Sequence, residues 1–94
     1  AAPMKATVKE AGSDLCIQRT VPRNNLWMAQ TPQGFKRELI LKAFNQFKDV
    51  DREFTDDAQM VEKAGHPVYI VPGTDENIKI TTPEDMHIAE ALLT

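Results

Sequence analysis

The chain has 94 residues, of which 41% are hydrophobic and 27% charged, and its formal net charge is −3. This composition is typical of one globular domain at most and argues against a largely disordered chain. The mild acidity and the lack of a basic cluster argue against nucleic acid as the main partner. No run of about 18 apolar residues and no charged-then-apolar leader is found, so the sequence predicts neither a membrane span nor a signal peptide.

The chain contains a single cysteine, Cys16, and therefore has no internal disulfide. Cys16 lies in the apolar stretch "LCIQRTV", which favours a small packing residue over a nucleophile. One unpaired cysteine points to a reducing compartment or to indifference to redox conditions. Because the first residue is Ala1 rather than methionine, we interpret the chain as a processed piece or as part of a longer protein.

The first two predicted elements are strands at 5–9 ("KATVK") and 15–21 ("LCIQRTV"), which the turn-forming residues Gly12, Ser13 and Asp14 separate. The pair is predicted to form a hairpin. Two strands alone are marginally stable in water, so this hairpin needs something to pack against, such as another subunit.

The next segment, 22–35, contains two prolines and a glycine and is predicted to be mostly loop. From Gly34 to about Phe47, apolar residues recur every four positions, which predicts a helix. A second helix is predicted to begin with Thr55 as its N-cap and to end at Gly65, which can adopt a left-handed conformation.

Two further strands are predicted at 66–71 ("HPVYIV") and 78–80 ("IKI"). A final helix follows, with Thr82 as its N-cap, proline at the first helical position and Asp85 three residues after the cap. The predicted order β-β-α-α-β-β-α favours the α/β class. Two elements lack an obvious sheet neighbour within the chain, which suggests that further sequence completes the sheet.

No local motif identifies a reaction, because the sequence has no metal-ligand spacing, no glycine-rich phosphate loop and no nucleophile elbow. Arg23, Thr55 and Lys79, however, lie at predicted element ends, where open α/β sheets bind their ligands. Arg and Lys are suited to binding phosphate. From the residues alone, a cap role for Thr55 and a surface role for the two cations are favoured over a phosphate site, which stays open.

The acidic residues at the two capped helix starts would repel a bound anion there. If an anion binds nearby, Arg23 and Lys79 must supply the positive charge.

Four segments, read in order, resemble the C-terminal part of the 2-C-methyl-D-erythritol 4-phosphate cytidylyltransferase family: "AAPMKATVK", "TVPRNNLWMAQTPQGF", "TDDAQMVE" and "NIKITTPEDMHIAEALL". The resemblance implies a doubly wound, Rossmann-like nucleotidyltransferase sheet with a protruding β-hairpin arm. Residues 1–94 would then form the C-terminal portion of a single domain, with the arm at about 4–24 and the α/β part at 25–94. The N-terminal, CTP-binding portion would lie outside this chain.

The resemblance also implies an activity, namely transfer of CMP from CTP to 2-C-methyl-D-erythritol 4-phosphate with release of pyrophosphate, in the non-mevalonate pathway of isoprenoid precursor synthesis. Arg23 and Lys79 match the family residues that position the acceptor phosphate. Thr7, Thr31 and Thr55 match threonines that line the acceptor site. Arm residues such as Thr7 and Arg23 would serve the site of the neighbouring subunit.

Further expectations follow from the same resemblance. Mg²⁺ would enter with CTP and find no ligands in this chain. The enzyme would be a homodimer joined through the arm, located in the bacterial cytoplasm or the plastid stroma, and the 94-residue chain alone would be inactive. Two alternatives remain open: a ribitol 5-phosphate cytidylyltransferase, and a non-catalytic dimerisation module of the same fold.

Overall fold

The computed structural model describes residues 1–49 and 53–93. Within these residues, four short strands precede three helices. The strands are β1 (Ala2–Pro3), β2 (Val8–Ala11), β3 (Ile17–Val21) and β4 (Trp27–Met28), and the helices are α1 (Arg37–Phe47), α2 (Asp57–Lys63) and α3 (Pro83–Leu93). The chain divides into two compact units, one formed by 1–31 with 71–94 and the other by 32–70.

Strands β2 and β3 form an antiparallel hairpin whose register runs from Val8 opposite Val21 to Glu10 opposite Arg19, with a bulge at the turn end. The Glu10 carboxylate accepts a hydrogen bond from Arg19 Nε at 2.9 Å. At the turn, Asp14 Oδ1 accepts a hydrogen bond from the Cys16 backbone N–H at 3.1 Å. The predicted hairpin is therefore present, and Cys16 is exposed on it rather than packed.

The first strand of the hairpin begins at Val8, so its predicted start at Lys5 is wrong. The reason is a competing set of hydrogen bonds. The Met4 backbone N–H donates to the Leu26 carbonyl at 3.0 Å, and the Lys5 carbonyl accepts a hydrogen bond from Arg23 Nη1. Residues 4 and 5 therefore pair with the turn that follows β3.

The segment 22–35 is less irregular than its prolines and glycine suggest. Strand β4 pairs antiparallel with β1, so that Ala2 lies opposite Met28 and Pro3 opposite Trp27. Ala2 is 1% exposed. This two-residue ladder was not predicted, because its strands are too short to show an alternating pattern.

Helices α1 and α2 pack together in the unit 32–70. Ala43 of α1 and Val61 of α2 are fully buried. The rings of Phe47 and Phe54 meet edge to face, with centroids 5.3 Å apart and planes at 67°. The predicted four-residue spacing thus places Ala43 in the core, although Phe44 stays 56% exposed and the helix starts at Arg37 rather than Gly34.

The predicted strands at 66–71 and 78–80 are not observed, because neither segment belongs to a sheet within the described residues. A strand exists only when its backbone pairs with a neighbour. The Val71 carbonyl accepts a hydrogen bond from the Ala1 amino group at 3.0 Å, but this single bond does not form a ladder. Tyr69 and Val71 remain 85% and 79% exposed.

The structure thus confirms a mixed α/β chain, but with small antiparallel sheets and the order β-β-β-β-α-α-α. None of the helices in the described ranges has the length and apolarity needed to cross a membrane.

Candidate functional site

Arg23 follows β3 and begins a tight turn. Its carbonyl accepts a hydrogen bond from the Leu26 backbone N–H at 3.1 Å. Its guanidinium donates through Nη1 to the carbonyl of Lys5 and is otherwise exposed. One donor therefore fixes the side chain, while the remaining N–H groups of the planar fork are available to an anion.

Lys79 lies just after a loop with its own internal turns. The Asn77 backbone N–H donates to the Thr74 carbonyl at 3.2 Å, and the Ile78 N–H donates to the Glu76 carbonyl at 3.0 Å. Ile78 is half-buried, whereas Lys79 is exposed. Its ammonium forms no ion pair with any residue that the structure describes, so no carboxylate competes with a ligand for it there.

Two side-chain amides hold this loop against the segment that contains Thr31. Gln30 Nε2 donates to the Thr74 carbonyl at 2.6 Å, and Asn77 Nδ2 donates to the Thr31 carbonyl at 2.8 Å. The Thr31 side chain is exposed. Sequence reasoning missed Gln30 and Asn77, since a neutral amide next to a turn gives no chemical signal until its partner is known.

A charged contact reaches the same loop. Lys5 Nζ forms an ion pair with Asp75, and both side chains are largely exposed, by 74% and 42%. Lys5 therefore carries two contacts, since its carbonyl accepts from Arg23 and its ammonium pairs with Asp75. This residue links the turn after β3 to the loop before Lys79.

The predicted cap of α2 is displaced by one residue. Asp56, not Thr55, is the N-cap, and its Oδ1 accepts a hydrogen bond from the Gln59 backbone N–H at 2.9 Å. Gln59 Oε1 in turn accepts hydrogen bonds from the Thr55 N–H at 2.8 Å and from its hydroxyl at 3.1 Å. Asp56 is the better cap because its two carboxylate oxygens accept separate hydrogen bonds. Oδ1 accepts from the helix end, and Oδ2 accepts from Gln33 Nε2 at 2.9 Å.

Thr7 is exposed and immediately precedes β2. The structure places Thr7, Arg23, Thr31 and Lys79 in the unit formed by 1–31 and 71–94, and Thr55 in the unit 32–70. Hydrogen bonds and the Lys5–Asp75 ion pair connect the segments that contain Arg23, Thr31 and Lys79.

Helix α3 starts with the predicted capping pair. The Asp85 N–H donates to Thr82 Oγ1 at 3.2 Å, and Asp85 Oδ2 accepts from the Thr82 N–H at 3.0 Å. The same oxygen accepts from the backbone and hydroxyl of Thr81 at 3.0 and 2.9 Å. These hydrogen bonds, led by that of the Thr81 backbone, lower the pKa of Asp85 below 3.8. Asp85 therefore stays ionised at neutral pH.

Within residues 1–49 and 53–93, no group of three His, Cys, Asp or Glu side chains is arranged to hold a metal ion. Two exposed cations, Arg23 and Lys79, and an exposed threonine, Thr31, therefore lie on segments that hydrogen bonds and one ion pair connect. This combination of charge and hydroxyl suits an anionic, hydroxylated ligand.

Comparison with known proteins assigns the family. The family model IspD, 2-C-methyl-D-erythritol 4-phosphate cytidylyltransferase, matches residues 1–94. The chain belongs to this family. The resemblance carried by the four sequence segments is confirmed.

Relatives named 2-C-methyl-D-erythritol 4-phosphate cytidylyltransferase are 50% identical over 93 residues in both Pelotomaculum thermopropionicum and Syntrophus aciditrophicus. Each alignment covers 99% of this chain but only 39% and 40% of the relative. The chain therefore spans about two fifths of the length of these relatives.

Solved structures give the same picture. The 4-diphosphocytidyl-2C-methyl-D-erythritol synthase of Anaerococcus prevotii aligns with a TM-score of 0.88 and 35% identity, covering 98% of this chain and 41% of that protein. The 2-C-methyl-D-erythritol 4-phosphate cytidylyltransferase of Thermus thermophilus aligns with a TM-score of 0.81 and 37% identity. The alignment covers 97% of this chain and 45% of that protein. The IspD family assignment thus rests on sequence and on backbone geometry together.

Proposed function

We propose that this chain forms the acceptor-binding part of a 2-C-methyl-D-erythritol 4-phosphate cytidylyltransferase. The match of all 94 residues to the IspD family supports this function. In the proposed reaction, a phosphate oxygen of methylerythritol phosphate attacks the α-phosphorus of CTP. A new P–O bond forms, the bond from that phosphorus to the bridging oxygen breaks, and pyrophosphate leaves.

Both reactants are anions, so the protein must chiefly position them and offset their charge. Lys79 would neutralise charge on the acceptor phosphate, a role that its exposed and unpaired ammonium supports. Arg23 would bind the same group through hydrogen bonds from its remaining N–H donors. The hydroxyls of Thr7, Thr31 and Thr55 would bind the acceptor, since all three residues are exposed. Those of Thr7 and Thr31 would offer both a donor and an acceptor, whereas the Thr55 hydroxyl already donates to Gln59 Oε1.

The nucleotide-binding machinery is proposed to lie in an N-terminal portion of the complete enzyme, because the chain spans about 39% of its relative from P. thermopropionicum. Mg²⁺ would be bound with CTP and would supply neutralisation of the triphosphate. No ligand for it is proposed among the residues of this chain.

The unpaired segments 66–71 and 78–80 are proposed to be strands of a doubly wound, Rossmann-like sheet that this N-terminal portion completes. Their β-branched sequences and their exposure support this view, since Val68, Ile70 and Ile80 are 37%, 49% and 51% exposed. Apolar strands of that kind are normally covered on both faces.

The hairpin β2–β3 is proposed to be the dimerisation arm. Its strands pack against no other helix or strand of the described residues, and Leu15 and Ile17 near its tip are 84% and 57% exposed. A second subunit that covers these residues would stabilise a hairpin that is marginal by itself.

An assay of the complete protein tests the function. We expect pyrophosphate release that depends on both CTP and methylerythritol phosphate, with ribitol 5-phosphate as the comparison acceptor. Preference for ribitol 5-phosphate would replace the proposed acceptor. Absence of CTP turnover by a folded complete protein would instead indicate a dimerisation module.

A further inference from the structure

Two side-chain amides hold the loop before Lys79. One donates a hydrogen bond into the loop, and the other donates a hydrogen bond from the loop to the segment of Thr31. Gln30 Nε2 donates to the Thr74 carbonyl at 2.6 Å and lies 3.4 Å from the Asn77 carbonyl. Asn77 Nδ2 reaches back and donates to the carbonyl of Thr31 at 2.8 Å. We call Gln30 and Asn77 the amide clamp.

We propose that the amide clamp positions Lys79 relative to Thr31, and that Gln30 and Asn77 are therefore positioning residues for the acceptor phosphate. The inference rests on the proposed function, which assigns Lys79 and Thr31 to the acceptor site. The clamp joins the backbone of Thr31 itself to a residue only two positions before Lys79.

The position of Lys79 depends on its backbone, because its side chain forms no ion pair with a residue in the described ranges. From Asn77 to Lys79 the chain is short and constrained. The Ile78 N–H donates to the Glu76 carbonyl at 3.0 Å, and the Ile78 side chain is half-buried. A displacement of Asn77 is thus passed on to Lys79.

The other contacts of the loop are less specific. The Lys5–Asp75 ion pair is 74% and 42% exposed, and exposed pairs hold their geometry weakly. The Gly73 N–H donates to the Ala1 carbonyl at 2.8 Å, but this hydrogen bond lies before the turn at 74–77 and six residues from Lys79. The clamp is therefore the contact best placed to set the lysine.

Gly73 lies next to the Gln30 side chain of the clamp. A Cβ atom at this position would lie 2.6 Å from Gln30 Oε1, closer than side-chain atoms approach each other. Its φ is not in the left-handed region, so alanine at this position is opposed only by the end of the Gln30 side chain, which must shift to make room. Alanine at position 73 would push the Gln30 amide away while leaving Asn77 unchanged.

The test is steady-state kinetics of the complete enzyme with Asn77→Asp, which keeps the size of the side chain but replaces the donor by a carboxylate oxygen facing the Thr31 carbonyl. Asn45→Asp is the matched control, because Asn45 is exposed on α1 and its side chain forms no hydrogen bond within the described chain. A small displacement of a substrate-positioning group costs up to about 10²-fold in rate. We therefore expect kcat/KM for the acceptor to fall about tenfold to hundredfold in Asn77→Asp, with an unchanged KM for CTP.

Asn45→Asp should match the wild type in both parameters. An Asn77→Asp enzyme with the same acceptor kinetics as Asn45→Asp would overturn the clamp while leaving the proposed function intact. A wild-type enzyme that does not use methylerythritol phosphate would instead overturn the proposed function. Equal losses for CTP and acceptor would also overturn the clamp, since they indicate a general structural role.

Gly73→Ala provides a second and independent variant if Asn77→Asp fails to fold. It displaces the other half of the clamp without adding charge, and it should likewise weaken acceptor kinetics with an unchanged KM for CTP. Wild-type acceptor kinetics in Gly73→Ala would overturn the role of Gln30.

Discussion

Thr82 and Asp85 cap each other at the start of α3, with the Asp85 N–H donating to the Thr82 hydroxyl at 3.2 Å and the Thr82 N–H donating to Asp85 Oδ2 at 3.0 Å. Thr81 adds two more hydrogen bonds to the same carboxylate oxygen. These hydrogen bonds favour the ionised carboxylate, which ties the start of this helix to pH.

We first predict acid sensitivity from Asp85. Its pKa is lowered below 3.8 by hydrogen bonds, first of all that of the Thr81 backbone. Because the pKa of Asp85 is lower in the folded protein than in the unfolded chain, the carboxylate stabilises the fold at any pH above the unfolded-state pKa. This contribution is lost as the pH falls through the folded-state pKa. Unfolding measured from pH 7 to pH 2 should therefore show a steeper acid loss in the wild type than in Asp85→Asn, below about pH 4.

Glu84→Gln is the control for this prediction, because the Glu84 side chain is exposed and forms no hydrogen bond or ion pair with a described residue. It should keep the acid dependence of the wild type. Parallel pH curves for the wild type and Asp85→Asn would show that the capping carboxylate does not contribute.

The second prediction concerns the end of α2, where Gly65 has φ +92°. Its N–H donates to the Glu62 carbonyl at 3.0 Å and the His66 N–H donates to the Val61 carbonyl at 3.3 Å, which is the Schellman pattern. Because a Cβ atom is unfavourable in this backbone conformation, Gly65→Ala should destabilise the protein by about 1 kcal/mol. Denaturant unfolding measures the change.

Gly34→Ala is the matched control. A Cβ atom at Gly34 would have no neighbour within 4 Å, and Gly34 does not have a positive φ. Alanine there should be neutral or stabilise by up to about 1 kcal/mol through the unfolded state. Equal effects of the two substitutions would contradict the assigned role of Gly65.

The third prediction concerns Gln33, whose amide joins the segment before α1 to the start of α2. Its Nε2 donates to Asp56 Oδ2 at 2.9 Å, and its Oε1 accepts from the Ala58 N–H at 3.2 Å. Gln33→Ala should cost about 1–3 kcal/mol, because it leaves part-buried polar groups without a partner.

Gln46→Ala on the exposed side of α1 serves as the comparison and should stay within about 0.5 kcal/mol of the wild type. Thermal unfolding of the two variants, measured side by side, separates the effect of losing the Gln33 hydrogen bonds from the effect of replacing an exposed glutamine by alanine. A Gln33→Ala protein as stable as Gln46→Ala would contradict the bridging role.

The fourth prediction tests the proposed phosphate ligands. Arg23→Ala and Lys79→Ala should each lower the acceptor-dependent rate of the complete enzyme by roughly 10²–10³, as expected when a charged contact to a reacting phosphate is removed. Stability should change little, because both side chains are exposed. Arg37→Ala and Lys42→Ala, at exposed positions of α1, control for the loss of each charge type. If a variant has the same acceptor kinetics as its control, the replaced residue is an ordinary exposed cation that does not bind the acceptor phosphate.

Local patterns predicted the helices well, because the information that forms them is local. The four-residue spacing that ends at Phe47, the glycine at 65 and the Thr82–Asp85 pair each identify a helix face or end without reference to the rest of the chain. The cap of α2 was displaced from Thr55 to Asp56, since only the structure reveals the second bond to Gln33.

Strand prediction failed, and two residues of the candidate site were missed, where distant partners decide the outcome. The segment "HPVYIV" has strand composition, yet its pairing depends on residues elsewhere, and the short β1–β4 ladder joins positions about 25 residues apart. Arg23 and Lys79 could be named as candidates from charge and family resemblance. Gln30 and Asn77 could not, because their partners lie 44 and 46 residues away.

The exposed run Val68–Ile70 has a practical consequence for handling the 94-residue chain. Its backbone groups form no hydrogen bonds with described residues, and Tyr69 is 85% exposed. An apolar, β-branched segment with free backbone donors and acceptors is a template for intermolecular strand pairing. Isolated preparations should therefore self-associate as their concentration rises, and a lysine at position 69 should raise their solubility limit.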